Sequence, residues 1–407
     1  MFRVSQASTL PRGRPASGWL AVLAALSGLL LSACGGGNSA SELFSSLSGS
    51  ASAPAQPATA IGAGRIKVGL ILPLSGSGNA AVAAQSMRNA AEMALAEYST
   101  PDLQLLVKDD GGSAAGAQQA AQQAVEEGVE IILGPLFALT VGPVGQVARA
   151  RGIPVIAFST DANVAARGVY LLSFLPEADV ERIISFAASQ GKRSFAALVP
   201  DNAYGTVVEG AFKQAVGRRN GRVVALEHYP LDRAQMQAPA RNVAQAARGA
   251  DAIFIPDGAD AVPTVVQSLI QSGIDPRRVQ LLGTGLWEDA QIFSAPALEG
   301  AWYAGPDSTG FRNFSARYRS RYGQDPVRTA TLAYDAVTLV AALIKSQGAQ
   351  RFSEEVLTNP SGFAGVDGLF RFRQDGTNQR GLAVLRVSPT GGQVISPPPK
   401  AFGASAI

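Results

Sequence analysis

Cysteine and histidine are almost absent from this 407-residue chain, which contains one of each, Cys34 and His228. A single cysteine excludes a disulfide framework, and one histidine without a second cysteine cannot build a zinc or copper site. Charged residues make up only 16% of the chain, and they form no dense basic cluster of the kind that binds nucleic acid. The sequence therefore predicts no metal, no cofactor and no nucleic acid partner.

Catalytic patterns are missing as well. His228 lies at the end of the apolar segment RVVALEHYP, where we expect a solvated or capping role. Ser75 has no histidine-based partner system that would make it a nucleophile. Asp109 and Asp110 are followed by two glycines, which indicates a turn at a strand end rather than a catalytic pair. We predict that the protein is not an enzyme.

A leader precedes the single cysteine. Arg3, Arg12 and Arg14 come before an apolar stretch at 19–31 that is too short to span a bilayer comfortably. The next residues, LSAC at 31–34, resemble a bacterial lipobox, whose cysteine becomes the first residue after cleavage and is lipid-modified. An ordinary secretory signal that ends near a cysteine is the alternative. The resemblance implies a lipoprotein signal peptide at 1–33 and a membrane anchor at Cys34.

The segment after the cysteine has the composition of a linker. Residues 34–64 consist mainly of Gly, Ser, Ala and Pro with almost no charge, so they bury too little apolar surface to offset the entropy of ordering. We predict a flexible tether. Cleavage after residue 33 also removes three arginines from a formal net charge of +3, which leaves a mature chain with no net charge.

Apolar strands alternate with helical segments along the body of the chain. IKVGLILPL at 66–74 is a continuous apolar run that ends in a turn, and a helical pattern follows it. Such alternation predicts parallel sheets flanked by helices. The pattern restarts near residue 176, which predicts two lobes. We place the first lobe at 65–175 plus about 306–350, and the second lobe with the hinge strands at 176–305 plus about 362–398.

Six motifs occur in a recognisable order: KVGLILPLSG, KDDGG, ILGP, RGIPVIAFST, VPDNAYG and GLFRFRQDG. Together they resemble the type I periplasmic binding proteins of the leucine/isoleucine/valine-binding family. The resemblance implies an α/β fold of two lobes, each a mainly parallel sheet flanked by helices, with a hinge between them. An overlapping resemblance, through ILPLSG and GPL, is to the lipoprotein activators of penicillin-binding proteins, which use the same fold to contact an enzyme.

In parallel α/β sheets, ligands bind beyond the carboxyl ends of the strands. The resemblance implies that Tyr204 packs over the ligand, and that Asp257 or Asp260 pairs with a ligand ammonium. Helix caps and turns are the alternative roles for the serines, threonine and aspartates, and core packing is the alternative for Trp287. The predicted ligand-binding residues are Ser75, Gly76, Leu136, Phe137, Ser159, Thr160, Asp161, Tyr204, Asp257, Asp260 and Trp287.

Two departures from the family bear on the ligand. The loop at 135–139 is apolar, where amino-acid binders carry hydroxyl donors for the α-carboxylate. Asp161 lies where further carboxylate donors are expected, and a negative side chain about 4 Å from a ligand carboxylate opposes binding by roughly 1 to 4 kcal/mol. A less polar or uncharged ligand, or none, is therefore expected.

The sequence thus predicts a lipid-anchored, periplasm-facing protein of a bacterial envelope that captures an amino acid, an amide or a related solute for an ABC permease. The alternative is an outer-membrane lipoprotein that activates a penicillin-binding protein. Gly35 after the cysteine, in place of an aspartate, favours the outer membrane if the cell is Gram-negative.

Overall fold

The computed structural model describes residues 59–98, 102–230, 232 and 235–403. The predicted signal peptide, Cys34 and most of the predicted tether lie outside these residues. The described chain forms a six-stranded sheet, a seven-stranded sheet and a small three-stranded sheet. None of the helices in the described ranges has an apolar stretch that would reach across a bilayer.

The first lobe is built on the six-stranded sheet, whose strand order is β1-β3-β2-β4-β5-β6. Strand β1 pairs antiparallel with β3, and the other neighbours are parallel. The strands are β1 (Ala60–Ile61), β2 (Ile66–Leu72), β3 (Leu103–Asp109), β4 (Ile131–Leu133), β5 (Val155–Ala157) and β6 (Val169–Leu171). The helices that connect them are α1 (Asn79–Glu97), α2 (Ala114–Glu126) and α3 (Ala138–Arg149).

Successive residues of β2 enter different cores, which explains its unbroken apolar run. Leu70 and Leu72 pack into the core under α1, and Ile71 packs into the core under α2 and α3. A strand covered on both faces needs apolar side chains at every position. The alternation predicted from the sequence is therefore confirmed for this lobe.

The second lobe is built on the seven-stranded sheet, with strand order β16-β15-β11-β10-β9-β7-β8. Neighbours from β8 to β11 are parallel, and β15 and β16 add an antiparallel edge. The strands are β7 (Ser194–Pro200), β8 (Arg222–Tyr229), β9 (Ala252–Phe254), β10 (Gln280–Gly283), β11 (Trp302–Gly305), β15 (Ala383–Ser388) and β16 (Gly391–Ser396). The helices are α4 (Pro176–Ser189), α5 (Ala203–Arg218), α6 (Gln237–Ala246), α7 (Val262–Gln271) and α8 (Ala290–Phe293).

After β11 the chain returns to the first lobe. The returning elements are α9 (Ser308–Tyr322), α10 (Ala330–Ser346), α11 (Glu354–Leu357), β12 (Phe363–Gly365), β13 (Gly368–Phe372) and β14 (Asn378–Arg380). Leu332 and Val340 of α10 join the core under α1, and so do Phe370 and Phe372 of β13. The assignment of 362–398 to the second lobe needs correction, because 363–380 packs on the first lobe and only 383–396 joins the second sheet.

The start of the body also differs from the sequence expectation. Ala60 and Ile61 pair with Leu106 and Leu105 of β3, although we assigned 34–64 to a tether. The apolar pair Ala60 and Ile61, within the segment ATAIGAG at 58–64, is enough to add an edge strand. The tether prediction therefore does not hold for residues 59–64.

The chain crosses between the lobes three times, at 172–175, 306–307 and 381–382. Phe174 of the first crossing lies between two guanidinium groups, Arg328 at 4.6 Å and Arg380 at 4.5 Å from the ring centre. Arg328 forms a salt bridge with the buried Asp367, and Arg380 donates to the carbonyl oxygen of Ser173 at 2.8 Å. These contacts tie the first crossing to Arg380, the residue directly before the third crossing, and make this part of the hinge polar.

Candidate functional site

The carboxyl ends of the parallel strands place the loops of interest at one edge of each sheet. In the first lobe these loops follow β2, β3, β4 and β5, and in the second lobe they follow β7, β9 and β10. Parallel strands necessarily bring their carboxyl ends to the same edge. The predicted ligand-binding residues therefore fall on two loop clusters, one in each lobe.

In the first lobe, two aspartates accept the backbone donors of their own loops. Asp109 accepts from the amide of Ser75 at 3.1 Å and from that of Gly111 at 2.9 Å, and Asp110 accepts from Gly112 at 2.8 Å. Burial alone would raise the pKa of Asp109, but these hydrogen bonds outweigh it and hold the pKa below the usual range. The serine side chain itself is exposed and Gly76 is half-buried.

An apolar wall stands beside these aspartates. Phe137 lies half-buried at the start of α3, and its ring comes within 3.7 Å of the place that a β-carbon on Gly112 would take. Leu136 is half-buried and packs against the core under α1. The structure thus brings both predicted apolar residues to the loop cluster of the first lobe.

The loop after β5 mainly stabilises itself. The buried hydroxyl of Ser159 accepts from the amide of Asp161 at 3.1 Å, and Asp161 accepts from the amide of Asn163 at 2.9 Å. Thr160 is exposed. Ser159 and Asp161 therefore both stabilise this turn, and their contact with a ligand stays a prediction.

The second lobe presents a connected set of phenols and carboxylates. Tyr204 in the first turn of α5 shares a hydrogen bond with Thr284 at 3.2 Å. Tyr229 at the end of β8 donates to Asp257 at 2.7 Å. Burial raises the pKa of Tyr204, and the charges of Asp179 and Asp257 raise it further, so both carboxylates lie near this phenol.

Three members of this set were missed in the sequence. Tyr229 and Thr284 directly end or follow strands, a signal that is visible once the strands are assigned. Asp179 lies in the first turn of α4 and accepts from the amide of Gly285 at 2.9 Å. Burial raises its pKa to about 7. The sequence of α4 alone does not distinguish Asp179 from the acidic residues that commonly occur in the first turn of a helix.

Two predicted residues do not join the set. Trp287 is completely buried, donates to the carbonyl oxygen of Ile255 at 3.2 Å, and packs in the core of the second lobe. The prediction that it lines the cleft is wrong, because the indole fills the space above Gly283, which leaves no room for a β-carbon. Asp260 is exposed, whereas Asp257 is held by Tyr229 and by the amide of Gly258 at 2.7 Å.

Charge is distributed unevenly over these loops. Residues 73–79, 110–113, 134–140 and 158–163 of the first lobe contain no lysine or arginine, and neither do 201–205, 255–261 and 284–289 of the second. Several of their backbone amides already donate to carboxylates of the protein. The arrangement suits a donor-bearing or cationic ligand group better than an anionic one.

Comparison with known proteins identifies a family that matches most of the chain. The family model described as periplasmic binding protein matches residues 65–393. No match is found among curated proteins.

Solved structures give the same picture of the fold. A Rhodospirillum rubrum protein assigned to a branched-chain amino acid ABC transporter has 21% identity and a TM-score of 0.73, covering 81% of this chain and 99% of its own. A branched-chain amino acid ABC transporter periplasmic ligand-binding protein from Burkholderia xenovorans has 17% identity and a TM-score of 0.67, covering 84% and 97%. A solute-binding protein of a Rhodopseudomonas palustris ABC transporter, in complex with benzoate, has 18% identity and a TM-score of 0.59, covering 84% and 99%.

Proposed function

The chain belongs to the periplasmic binding protein family, and from this membership we propose that it captures a small solute carrying an amine or amide group between its two lobes. An ABC permease receives the solute. A lipid on Cys34 and the segment that follows it hold the protein at the envelope membrane, facing the periplasm.

One observation carries the choice of ligand: the protein's own carboxylates occupy the backbone donors that a ligand carboxylate would need. The amides of Ser75 and Gly111 donate to Asp109, that of Gly112 to Asp110, and that of Gly285 to Asp179. A ligand carboxylate would compete with these aspartates and meet their negative charge. A ligand ammonium or amide would meet acceptors instead.

Asp257 is the residue we assign to the ligand nitrogen. Its two oxygens each accept one hydrogen bond, from Tyr229 and from Gly258, and each keeps a lone pair for a further donor. These two bonds fix the carboxylate's orientation before the ligand arrives, which reduces the entropy lost on binding. Tyr204 supplies a half-buried hydroxyl group near it, and the buried Thr284 holds that hydroxyl through a hydrogen bond of 3.2 Å.

The remainder of the ligand is apolar in this proposal. Leu136 and Phe137 stand at the first-lobe edge, where amino-acid binders have hydroxyl donors. Apolar walls with a few fixed polar groups are the common composition of small-molecule sites. An alkyl or aryl amine, or the amide of an amino acid, has the matching chemistry.

Activation of a penicillin-binding protein is the second candidate. It rests on the apolar loop after β4, whose Leu139 is 57% exposed. Such a side chain suits a protein contact. A protein activator would need no solute in the cleft.

A thermal-shift screen with matched ligands tests the proposal. Leucine, leucinamide, isoamylamine and 4-methylpentanoate share one branched side chain and differ in their amine and carboxyl groups. Benzylamine and benzoate form an aromatic pair. Since a ligand at 100 times its Kd adds about 2.7 kcal/mol to stability, we expect a rise of several degrees in Tm for an amine or amide, and none for the carboxylates.

Carboxylates that raise Tm as much as the amines would overturn the ligand assignment. A flat response to the whole panel, together with retention of a penicillin-binding protein on the immobilised chain, would favour the second candidate.

A further inference from the structure

A cavity of about 660 Å³ lies beside the hinge, and none of the predicted ligand-binding residues lines it. Its second-lobe wall is formed by α4 and the end of α5. Its first-lobe wall is formed by the β13–β14 turn, β14 and Ala162. We call it the hinge groove. Its charged lining residues are Arg182, Arg218, Arg219, Arg373, Arg380, Glu177, Glu181 and Asp375.

Arginine exceeds carboxylate in the hinge groove by two charges, since five arginines face three carboxylates. Arg218 and Arg219 share one carboxylate, Glu181, and Arg219 also donates to the hydroxyl of Ser185 at 3.1 Å. Asp375 is held within its turn, where it accepts from the amide and the hydroxyl of Thr377 at 2.8 and 2.6 Å. These internal bonds leave part of the guanidinium donors free for another acceptor.

Three of the arginines have no carboxylate within salt-bridge distance among the described residues. Arg182 donates to the carbonyl of Leu382 and to the hydroxyl of Ser396, and burial lowers its pKa. Arg373 is exposed. Arg380 is only 6% exposed, and neither of its terminal nitrogens has a hydrogen-bond partner.

Carboxylates on two sides oppose this excess. Glu177, in the first turn of α4, has a buried oxygen without a partner, and it offsets one of the three guanidinium charges. Behind the groove, the charges of Asp367, Asp335 and Asp179 act on Arg380 and offset part of a second. Burying charge without a counter-charge is costly, so an anion that enters the groove from solvent gains from the imbalance.

We propose that the hinge groove binds a small dianion, with the charge and size of inorganic phosphate. Arginine forks hold phosphate oxygens in bidentate geometry. Because the walls come from both lobes, a bound dianion also ties α4 of the second lobe to the β13–β14 turn of the first. This site differs in place and in charge from the amine site, and it does not depend on that proposal.

Calorimetric titration of the full chain with inorganic phosphate tests the inference. The solution is mildly alkaline, where phosphate is a dianion, and chloride keeps the ionic strength constant. We expect saturable binding of one phosphate per chain. R373Q removes an exposed guanidinium that has no carboxylate within salt-bridge distance in the part of the chain that the structure describes, so the fold should persist, and we expect phosphate affinity about tenfold lower.

The matched control is R312Q. Arg312 is exposed on α9 and donates to the hydroxyls of Ser308 and Thr309, so this change removes the same charge outside the groove and should leave the affinity unchanged. Y204F should also leave it unchanged, which separates this site from the amine site. Absence of saturable heat, or equal losses in R373Q and R312Q, would overturn the assignment.

Discussion

At the scale of single residues, the buried carboxyl group of Asp335 makes the stability of the fold depend on pH. Asp335 on α10 accepts from the amide of Val366 at 2.8 Å, and its second oxygen is buried without a partner. Burial raises its pKa from 3.8 to about 7, with Asp367 adding to the rise and Arg380 and Arg328 opposing it. The folded protein therefore holds this proton more tightly than the unfolded chain does.

The sign of the effect follows from proton linkage. A raised pKa in the folded state gives stability that is fully present below about pH 4 and is lost as the pH rises to about 7. We predict that D335N, which keeps the acceptor for Val366, removes part of this loss. Its Tm relative to the wild type should rise steadily from pH 4 to pH 7 in melting curves. Parallel curves for the two proteins would contradict the prediction.

The position of Trp287 in the core of the second lobe can be tested by substitution. Because the indole is completely buried in the second-lobe core, W287A should lower the free energy of unfolding by about 3–5 kcal/mol in chemical denaturation. The neighbouring Leu286 is 48% exposed, and L286A should change stability by less than about 0.5 kcal/mol. If W287A is as stable as L286A, the tryptophan is not a core residue.

Among the elements, the β13–β14 hairpin depends on one glycine. Gly376 has φ +86°, and a β-carbon there would lie 2.3 Å from the carbonyl oxygen of Val169 and 2.7 Å from that of Ala166. Its own carbonyl accepts from Leu171 at 2.8 Å. The turn therefore fits directly against the edge of the first-lobe sheet.

We predict that G376A destabilises the protein more than G391A. Both glycines have positive φ, so both variants incur the conformational cost of about 1–2 kcal/mol, but nothing lies within 4 Å of a β-carbon at Gly391. The difference between the two losses in the free energy of unfolding measures the clash with β6. We expect this difference to exceed about 1 kcal/mol in denaturant titrations. Equal losses would show that the hairpin does not press on the sheet.

The central parallel strands of both lobes could be predicted from the sequence because they are apolar at consecutive positions, as in β2 and β7. The late strands were harder to assign. GLFRFR alternates apolar and charged residues, and this pattern shows that one face is buried but not which core buries it. Only the position of Phe370 and Phe372 against α10 and β2 decides that they belong to the first lobe.

Across the whole fold, the candidate site could be predicted in part. Tyr204 and Asp257 could be proposed from the sequence because they follow strands within motifs that resemble the family's, and their contact with a ligand stays a prediction. Tyr229 and Asp179 could not be proposed in this way, since their roles depend on partners 28 and 106 residues away in sequence. Trp287 was misassigned because an aromatic residue in a loop after a strand looks the same whether it turns toward the cleft or into the core.

The two lobes, three crossings and buried hinge charges form an arrangement suited to closure around a solute. The cleft loops are acidic and lack basic residues, and the hinge groove has the opposite charge. This separation predicts that the two sites take ligands of opposite sign. Phosphate should therefore not compete with an amine, which a calorimetric titration of one in the presence of the other would show.

The most direct measurement is calorimetric titration of isoamylamine into the wild type, D257N and D260N. D257N keeps the shape of the carboxylate and removes its charge, and D260N removes an exposed charge from the same loop. We predict affinity about tenfold lower for D257N and nearly unchanged for D260N. Equal affinities for D257N and the wild type would contradict the assignment of Asp257 to the ligand nitrogen.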